Sequence, residues 1–284
     1  MRFVAIVKWM ARMLAILLLV MTGTTILVRY APGYLSDERE LDAHYAQAAR
    51  AQLAIEASRS RSLKQMLSTE MDAWFHGDFG RSRQFDVPVQ ELIGPRLGVT
   101  GGLLLRSLFL GWLFAICASV FSSAGRNPSV LWQIPATLVL AAPAAAMATL
   151  CLITGKGGPV LVMALLIAAR DFKFLHGMLR KAWLEPHVLQ ARAQGIATRR
   201  LLVTHVLPSV AGRLGILASL SLVTALSALV PVEVIFNVPG LGQLAWTAAL
   251  NRDLPVLLAI TLIMAVAVTC SGLAPAREPE WERA

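Results

Sequence analysis

The 284-residue chain is 56% hydrophobic and only 15% charged, too apolar a balance for a soluble domain. It is long enough for about six membrane spans of ~20 residues each with their connections. The formal net charge of +9 excludes little by itself, but the Lys and Arg cluster beside apolar runs, where they set membrane orientation, and do not make the continuous basic face of a nucleic-acid binder.

Arg2, Lys8 and Arg12 precede or open a first span over about Ile6 to Tyr30. Its apolar part, Met13 to Val28, exceeds the core of a signal peptide, and no small-x-small cleavage pattern follows. Residues 1–30 are therefore read as a retained anchor with a cytosolic N-terminus. Residues 31–99 are polar and are assigned to an extracytoplasmic loop, in which AHYAQAARAQLAIEA has helical propensity. Trp74 follows, then Gly77-Asp78-Phe79-Gly80-Arg81-Ser82, then Val87-Pro88-Val89. Nothing there has catalytic spacing, and a turn with an Asp78–Arg81 ion pair is expected.

Residues 100–273 read as a five-helix core. Span 2 is expected over Gly101 to Ser122, and span 3 over Val130 to Ile153 with kinks at Pro135 and Pro143. Such kinks persist where neighbours or water satisfy the freed carbonyls, and they serve packing or line a pathway. Gly155 to Gly158 make an outer turn. Span 4 runs over Pro159 to Leu175 and carries Arg170, Asp171 and Lys173 at its inner end. Span 5 covers Leu214 to Val232 and span 6 Leu254 to Leu273, separated by an outer loop over 233–253. Residues 274–284 form a short charged cytoplasmic tail. Between Arg170 and Arg213 stand eight Lys/Arg against two acids, Asp171 and Glu185. That bias places the segment in the cytosol, and six spans put both termini there as well.

Inside that segment, the loop over 178–213 contains LQARAQGIATRRLLVTHVLP (189–208). It reads as helix, break, helix: Leu184 to Ala193, a stop at Gly195, a restart near Thr198. Glycine takes a left-handed helix end without a Cβ penalty. The Thr198 hydroxyl is expected to cap the second helix, and Pro208 sits where a new helix can begin. A bent, charged elbow between apolar runs is suited to docking onto a cytosolic protein.

A second stretch, EVIFNVPGLGQLAWTAALNRD, spans Glu233 to Asp253. Pro239-Gly240-Leu241-Gly242 is a turn that ends one helix and starts another. The QLAWTAAL that follows fits a short interfacial helix with Trp246 at headgroup depth. Glu233 is either a gating or docking acid or a solvated helix end.

Ala191, Arg192, Ala193, Gly195, His205 and Pro208 resemble the EAA loop of binding-protein-dependent ABC transporter permeases. The Ala-Arg-Ala form is similar to that of the oligopeptide/dipeptide/nickel subfamily, with Ala191 in place of the loop's namesake Glu. The stretches over 77–89 and 233–253 resemble the same subfamily. The end does not: the subfamily usually closes with Asp-Pro-Arg, whereas this chain reads Ala274-Pro275-Ala276-Arg277. The resemblance implies an all-α polytopic membrane protein in a bacterial cytoplasmic membrane. It also implies a pathway subunit of an importer, coupled to a separate ATPase through the loop around Gly195. The implied partners are ABC ATPase subunits, a second permease chain (identical or homologous), an extracytoplasmic substrate-binding protein and the lipid bilayer. Peptides are the default solute, with nickel and other small solutes as alternatives. Glu233, Pro239, Gly240, Leu241 and Gly242 fall where permease and binding protein meet.

No nucleotide site is legible. Gly155-Lys156 lacks the earlier Gly of a P-loop, and Gly follows the Lys. ATP and Mg are therefore expected on the partner ATPase, with no cofactor on this chain. The histidines at 44, 76, 176, 187 and 205 show no ligand spacing, and His205 is expected to hydrogen-bond within the elbow. The cysteines Cys117, Cys151 and Cys270 lie in apolar runs without Cys-x-x-Cys spacing, which makes neither a disulfide framework nor a zinc site. Three other classes remain open. An ion-coupled secondary transporter or channel would want buried acids in the spans, and these look nearly absent. A membrane enzyme would want clustered His, Asp or Glu at one face. A subunit that docks an ATPase without transporting would keep the elbow alone.

Overall fold

The computed structural model describes residues 79–82, 84–124 and 130–271, together with positions 11, 15, 18, 19, 22 and 23. The expected first span, Asp78 and most of the 31–99 loop, and the tail over 274–284 lie outside the described residues, apart from those isolated positions. The described residues are helical, with a single isolated bridge between Arg81 and Pro88. In chain order the helices are α1 (Val89–Ala124), α2 (Val130–Ala141), α3 (Ala144–Thr154), α4 (Pro159–Trp183), α5 (Pro186–Ala193), α6 (Thr198–Leu201), α7 (Leu207–Ile235), α8 (Leu241–Leu250) and α9 (Leu254–Ser271). A π-helical turn, Leu202–Val206, joins α6 to α7. The chain divides into two compact units, Met1–Pro95 with Leu244–Val266, and Arg96–Gln243 with Ala267–Ala284.

Several helix limits differ from the sequence expectation, each for a local reason. α1 starts at Val89, well before Gly101, so an expected loop boundary at 99/100 falls inside a continuous helix. Val89, Ile93, Thr100 and Leu103 are buried. That inward stripe carries the helix through Gly94, Pro95 and Gly98, which by propensity alone read as loop. The expected span 3 is two helices bent by 98°. Pro135 is accommodated within α2, whereas Pro143 takes an extended backbone (φ −58°, ψ 142°) and starts α3. A proline also pushes the residue before it out of the helical region, so the break falls at Ala142-Pro143.

α4 opens with Pro159 at its first position, where the missing N–H loses nothing. It continues to Trp183, past the expected end at Leu175. Arg170, Asp171 and Lys173 are thus mid-helix residues. Among the described residues three helical stretches are long and apolar enough to cross a membrane: Val89–Ser123, Thr198–Ile235 and Leu254–Ser271, with the bent pair as a fourth.

In the Arg96–Gln243 unit the core is the seam of α4 and α7. Ala169, Phe172 and Leu175 of α4 pack with Leu217 of α7, Ala115 of α1 and Ala136 of α2. Nearer the elbow, Leu179 and Ala182 pack with Val188, Val206 and Val210. Gly111 shows how closely α1 meets α4: a Cβ there would lie 2.8 Å from Ile167 Cγ2 and 3.0 Å from the Ala164 carbonyl oxygen.

Candidate coupling elbow and outer turn

α5 is a short helix whose first turn holds Pro186. It ends in a Schellman arrangement: the Gly195 N–H donates to the Arg192 carbonyl at 3.0 Å, and the Ile196 N–H to the Ala191 carbonyl at 3.4 Å. Gly195 has φ +79°, the left-handed geometry this motif needs. A Cβ at Gly195 would meet nothing within 4 Å. The glycine is there for its backbone conformation, not for space.

The elbow has two faces. Val188 and Ala191 are buried, and so are Leu201 and Val206 beyond the bend. Arg192, Ala193, Arg199 and Arg200 are exposed, as are the apolar side chains of Leu189 and Val203. A basic, partly apolar outer face therefore rests on an apolar inner one.

One expectation for the elbow is corrected. Thr198 does not cap: the N-cap is Ala197, no side-chain cap bond forms, and Thr198 is the first helical residue. Pro208 does stand in the first turn of a helix, α7, but the helical path is continuous from Thr198 to Ile235. The π turn makes this possible. The Leu207 N–H reaches back to the Leu202 carbonyl, a wider loop that relieves the crowding a proline imposes on the preceding turn. His205 does hydrogen-bond within the elbow, its Nδ1 lying 2.6 Å from the Thr204 hydroxyl. Its ring also stacks on His187 of α5 at 6.3 Å between centroids, with Glu185 3.5 Å from His187 Nδ1. The two limbs of the elbow touch through this pair, a contact that the histidine spacing gave no hint of.

The glycine turn is built around Glu233, which is fully buried and not a solvated helix end. α7 closes with another Schellman pair, Asn237 N–H to Val234 carbonyl at 3.2 Å and Val238 N–H to Glu233 carbonyl at 2.8 Å, with Asn237 at φ +50°. The chain then turns through exposed Pro239 and brings the start of α8 onto the Glu233 carboxylate. Glu233 Oε2 accepts the Gly242 N–H at 2.7 Å and the Gln243 N–H at 3.2 Å. Oε1 accepts the Thr100 hydroxyl at 2.7 Å, whose oxygen in turn accepts the Leu241 N–H at 2.8 Å.

Three orphan amides of the first turn of α8 are thus satisfied by one acid and one hydroxyl, and the negative charge sits at the positive end of the helix. The glycines are needed for room. A Cβ at Gly240 would overlap the Glu233 carboxylate, and one at Gly242 would lie 2.9 Å from Val230 Cα. Leu241 is buried between them.

A third Schellman end closes α8, with the Asp253 N–H donating to the Ala248 carbonyl at 2.8 Å and Arg252 at φ +54°. The buried Asp253 carboxylate accepts the Ser82 hydroxyl and the Gln84 N–H at 3.3 Å. The Gly-Arg-Ser and Arg-Asp stretches, 171 residues apart for Ser82 and Asp253, are therefore direct partners. Arg81 reaches Asp86, its Nη2 donating to the Asp86 carbonyl at 3.2 Å.

Buried acids are not absent from the long helices. Asp171 and Glu233 are both fully buried, and each is held by hydroxyl or amide donors. A charge in an apolar stretch is expensive unless partnered, which is the signal that marks both in the sequence. Among the described residues no group of three or more His, Cys, Asp or Glu could hold a metal.

A polytopic helical chain carrying this elbow and this glycine turn has clear relatives. Residues 98–274 match the model of the binding-protein-dependent transport system inner membrane component family, and the chain belongs to that family. Its likeness within that family is to ABC permeases of the peptide/oligopeptide type. A Brucella ovis protein named as a peptide permease is 25% identical over 252 residues, covering 76% of this chain and 79% of the relative. The oligopeptide transport system permease protein OppB of Escherichia coli K12 is 24% identical, covering 66% and 69%. The metal-staphylopine import system permease protein CntB of Staphylococcus aureus is 29% identical, covering 66% and 67%.

Proposed function

We propose that this permease forms one half of a peptide-conducting pathway and takes its driving force from a separate ABC ATPase docked on the elbow around Gly195. The observation that carries this is the Schellman end at Gly195. It gives the loop one fixed bend, with buried Val188, Ala191, Leu201 and Val206 inward and exposed Arg192, Arg199 and Arg200 outward. A rigid, basic knuckle of this kind transmits movement, which a mobile loop cannot do. ATP closes the ATPase dimer, the elbow is carried with it, and the helices on either side tilt as rigid bodies. Hydrolysis takes place on the partner, which holds ATP and Mg.

A second permease chain completes the pathway. Leu105, Phe109 and Phe121 of α1 are large, apolar and exposed, which suits a lipid or subunit boundary. The outer turn around Glu233 faces a solute-binding protein outside, and both termini are cytosolic. Peptides are favoured as solute because relatives are named for peptide and oligopeptide transport. A metal chelate is the alternative, since one relative is named for metal-staphylopine import.

The test is to tag the chain, purify it from its native membranes in mild detergent and identify what accompanies it. Co-purification of an ATPase and a second permease-like chain, with ATPase stimulation lost in Gly195→Val, is the expected result. A chain that emerges without any ATPase overturns the reading.

A further inference from the structure

Halfway along the helix bundle, one hydrogen-bonded chain joins three helices. Trp112 Nε1 of α1 donates to Ser221 Oγ of α7 at 3.1 Å. Ser221 Oγ lies 2.6 Å from Asp171 Oδ2 of α4 and 2.8 Å from the Leu217 carbonyl of its own helix, the two acceptors open to its single proton. Asp171 and Ser221 are fully buried among Ala115, Ala169, Phe172 and Leu217. One residue away Arg170 Nη1 donates to the Leu220 carbonyl at 3.0 Å, so α4 and α7 are tied at two successive positions. α1 is fixed at the same level by backbone approach, because Gly111, next to Trp112, leaves no room for a Cβ against Ile167 and the Ala164 carbonyl.

The placement relative to the elbow is what gives this chain of bonds a use. α4 leads into the elbow and α7 leads out of it. Apolar packing holds two helices together but lets one slide along the other by small steps, since neighbouring apolar positions are nearly equivalent. A buried hydrogen bond does not slide, because a shift along the axis strands a carboxylate, a hydroxyl and an indole N–H in an apolar core. A buried polar group that fixes register is a well-attested role of this kind.

We infer that Asp171 and Ser221, with Trp112, form a register pin that makes α1, α4 and α7 move as one lever with the elbow. Asp171 is a positioning residue for coupling and touches neither solute nor ATPase. This inference deepens the importer reading and rests on it for the source of the movement.

The experiment uses the full chain purified with its native partners, carrying spin labels at Phe109 on α1 and Val203 beside the elbow. Both positions are exposed, at 73% and 59%. The expected label-to-label distance in the wild type is narrow and the same with and without Mg-ATP and vanadate. Trp112→Phe/Asp171→Leu/Ser221→Ala removes the polar side-chain atoms of the pin together, and Arg170 keeps its bond to the Leu220 carbonyl, which leaves the bundle folded. Its distance distribution broadens and becomes nucleotide-dependent, and its binding-protein-stimulated ATP turnover falls by about 5–150-fold, the range of a coupling between sites. Ser221→Ala alone broadens the distribution in the same sense. Asp171→Asn, which keeps an acceptor for Ser221, stays close to wild type in both readouts.

A wild-type distance that changes with nucleotide, or a triple variant as narrow and as well coupled as the wild type, overturns the pin. A wild type purified without any ATPase overturns the importer reading instead, and the nucleotide-free distributions still judge the pin by themselves.

Discussion

Replacing Gly195 with valine isolates what the elbow requires. The residue sits at φ +79° with open space around its missing side chain, so no neighbour is displaced and the whole penalty is in the backbone. An L-residue held in the left-handed region is strained by about 1–2 kcal/mol, and β-branched residues are true outliers there. The chain escapes that strain only by giving up the Gly195–Arg192 and Ile196–Ala191 hydrogen bonds, each worth about 0.5–1.5 kcal/mol. Either way the bent elbow is disfavoured by roughly 1–2 kcal/mol, a factor of about 5–30 in its population.

The assay is ATP turnover of the purified complex together with the amount of ATPase retained. Gly195→Val is expected to insert and fold normally and to lose coupling by about that factor. Asparagine tolerates the left-handed region, so Gly195→Asn is expected to lie close to wild type. Normal coupling in Gly195→Val refutes the rigid-elbow reasoning. Equal damage from asparagine and valine also refutes it, because the requirement would then be for smallness and not for φ.

Glu233→Ala removes the buried acceptor of the Thr100 hydroxyl and of the Gly242 amide. Each stranded group destabilises by about 1–3 kcal/mol, which thermal unfolding in detergent reads as a fall in Tm. Gly240→Ala and Gly242→Ala push a methyl group into Glu233 or Val230 and are each expected to lose about 1–3 kcal/mol by overpacking. Gly177→Ala, in α4 with nothing within 4 Å, is the control and is expected to gain up to ~1 kcal/mol of helix stability. Ser82→Ala removes one of the two donors described at the buried Asp253 carboxylate. It is expected to loosen the 79–89 turn, seen as faster tryptic cleavage after Arg81.

Much of this protein is governed by short-range chemistry and is therefore legible in its sequence. The long continuous apolar runs call for membrane helices, because a helix satisfies its own backbone within one segment in lipid. Gly195, which must close a helix with positive φ, and Pro239-Gly240, which must turn between helices, are placed by local backbone rules. The family resemblance rests on the same two stretches and on the one over 77–89. Tertiary structure decided which polar residues meet. Glu233 finds Thr100 across 133 residues, Ser82 finds Asp253 across 171, and Asp171 finds Ser221 across 50. Asp171 in isolation reads as the charged end of a span, and Glu233 is equally compatible with water. A lone acid in an apolar run says only that it needs a partner, whereas the identity of the partner depends on helix register, crossing and closeness of approach. The hydroxyls that serve these acids look in the sequence like any Ser or Thr bonding back to its own helix, and only packing determines which of them faces a neighbouring carboxylate.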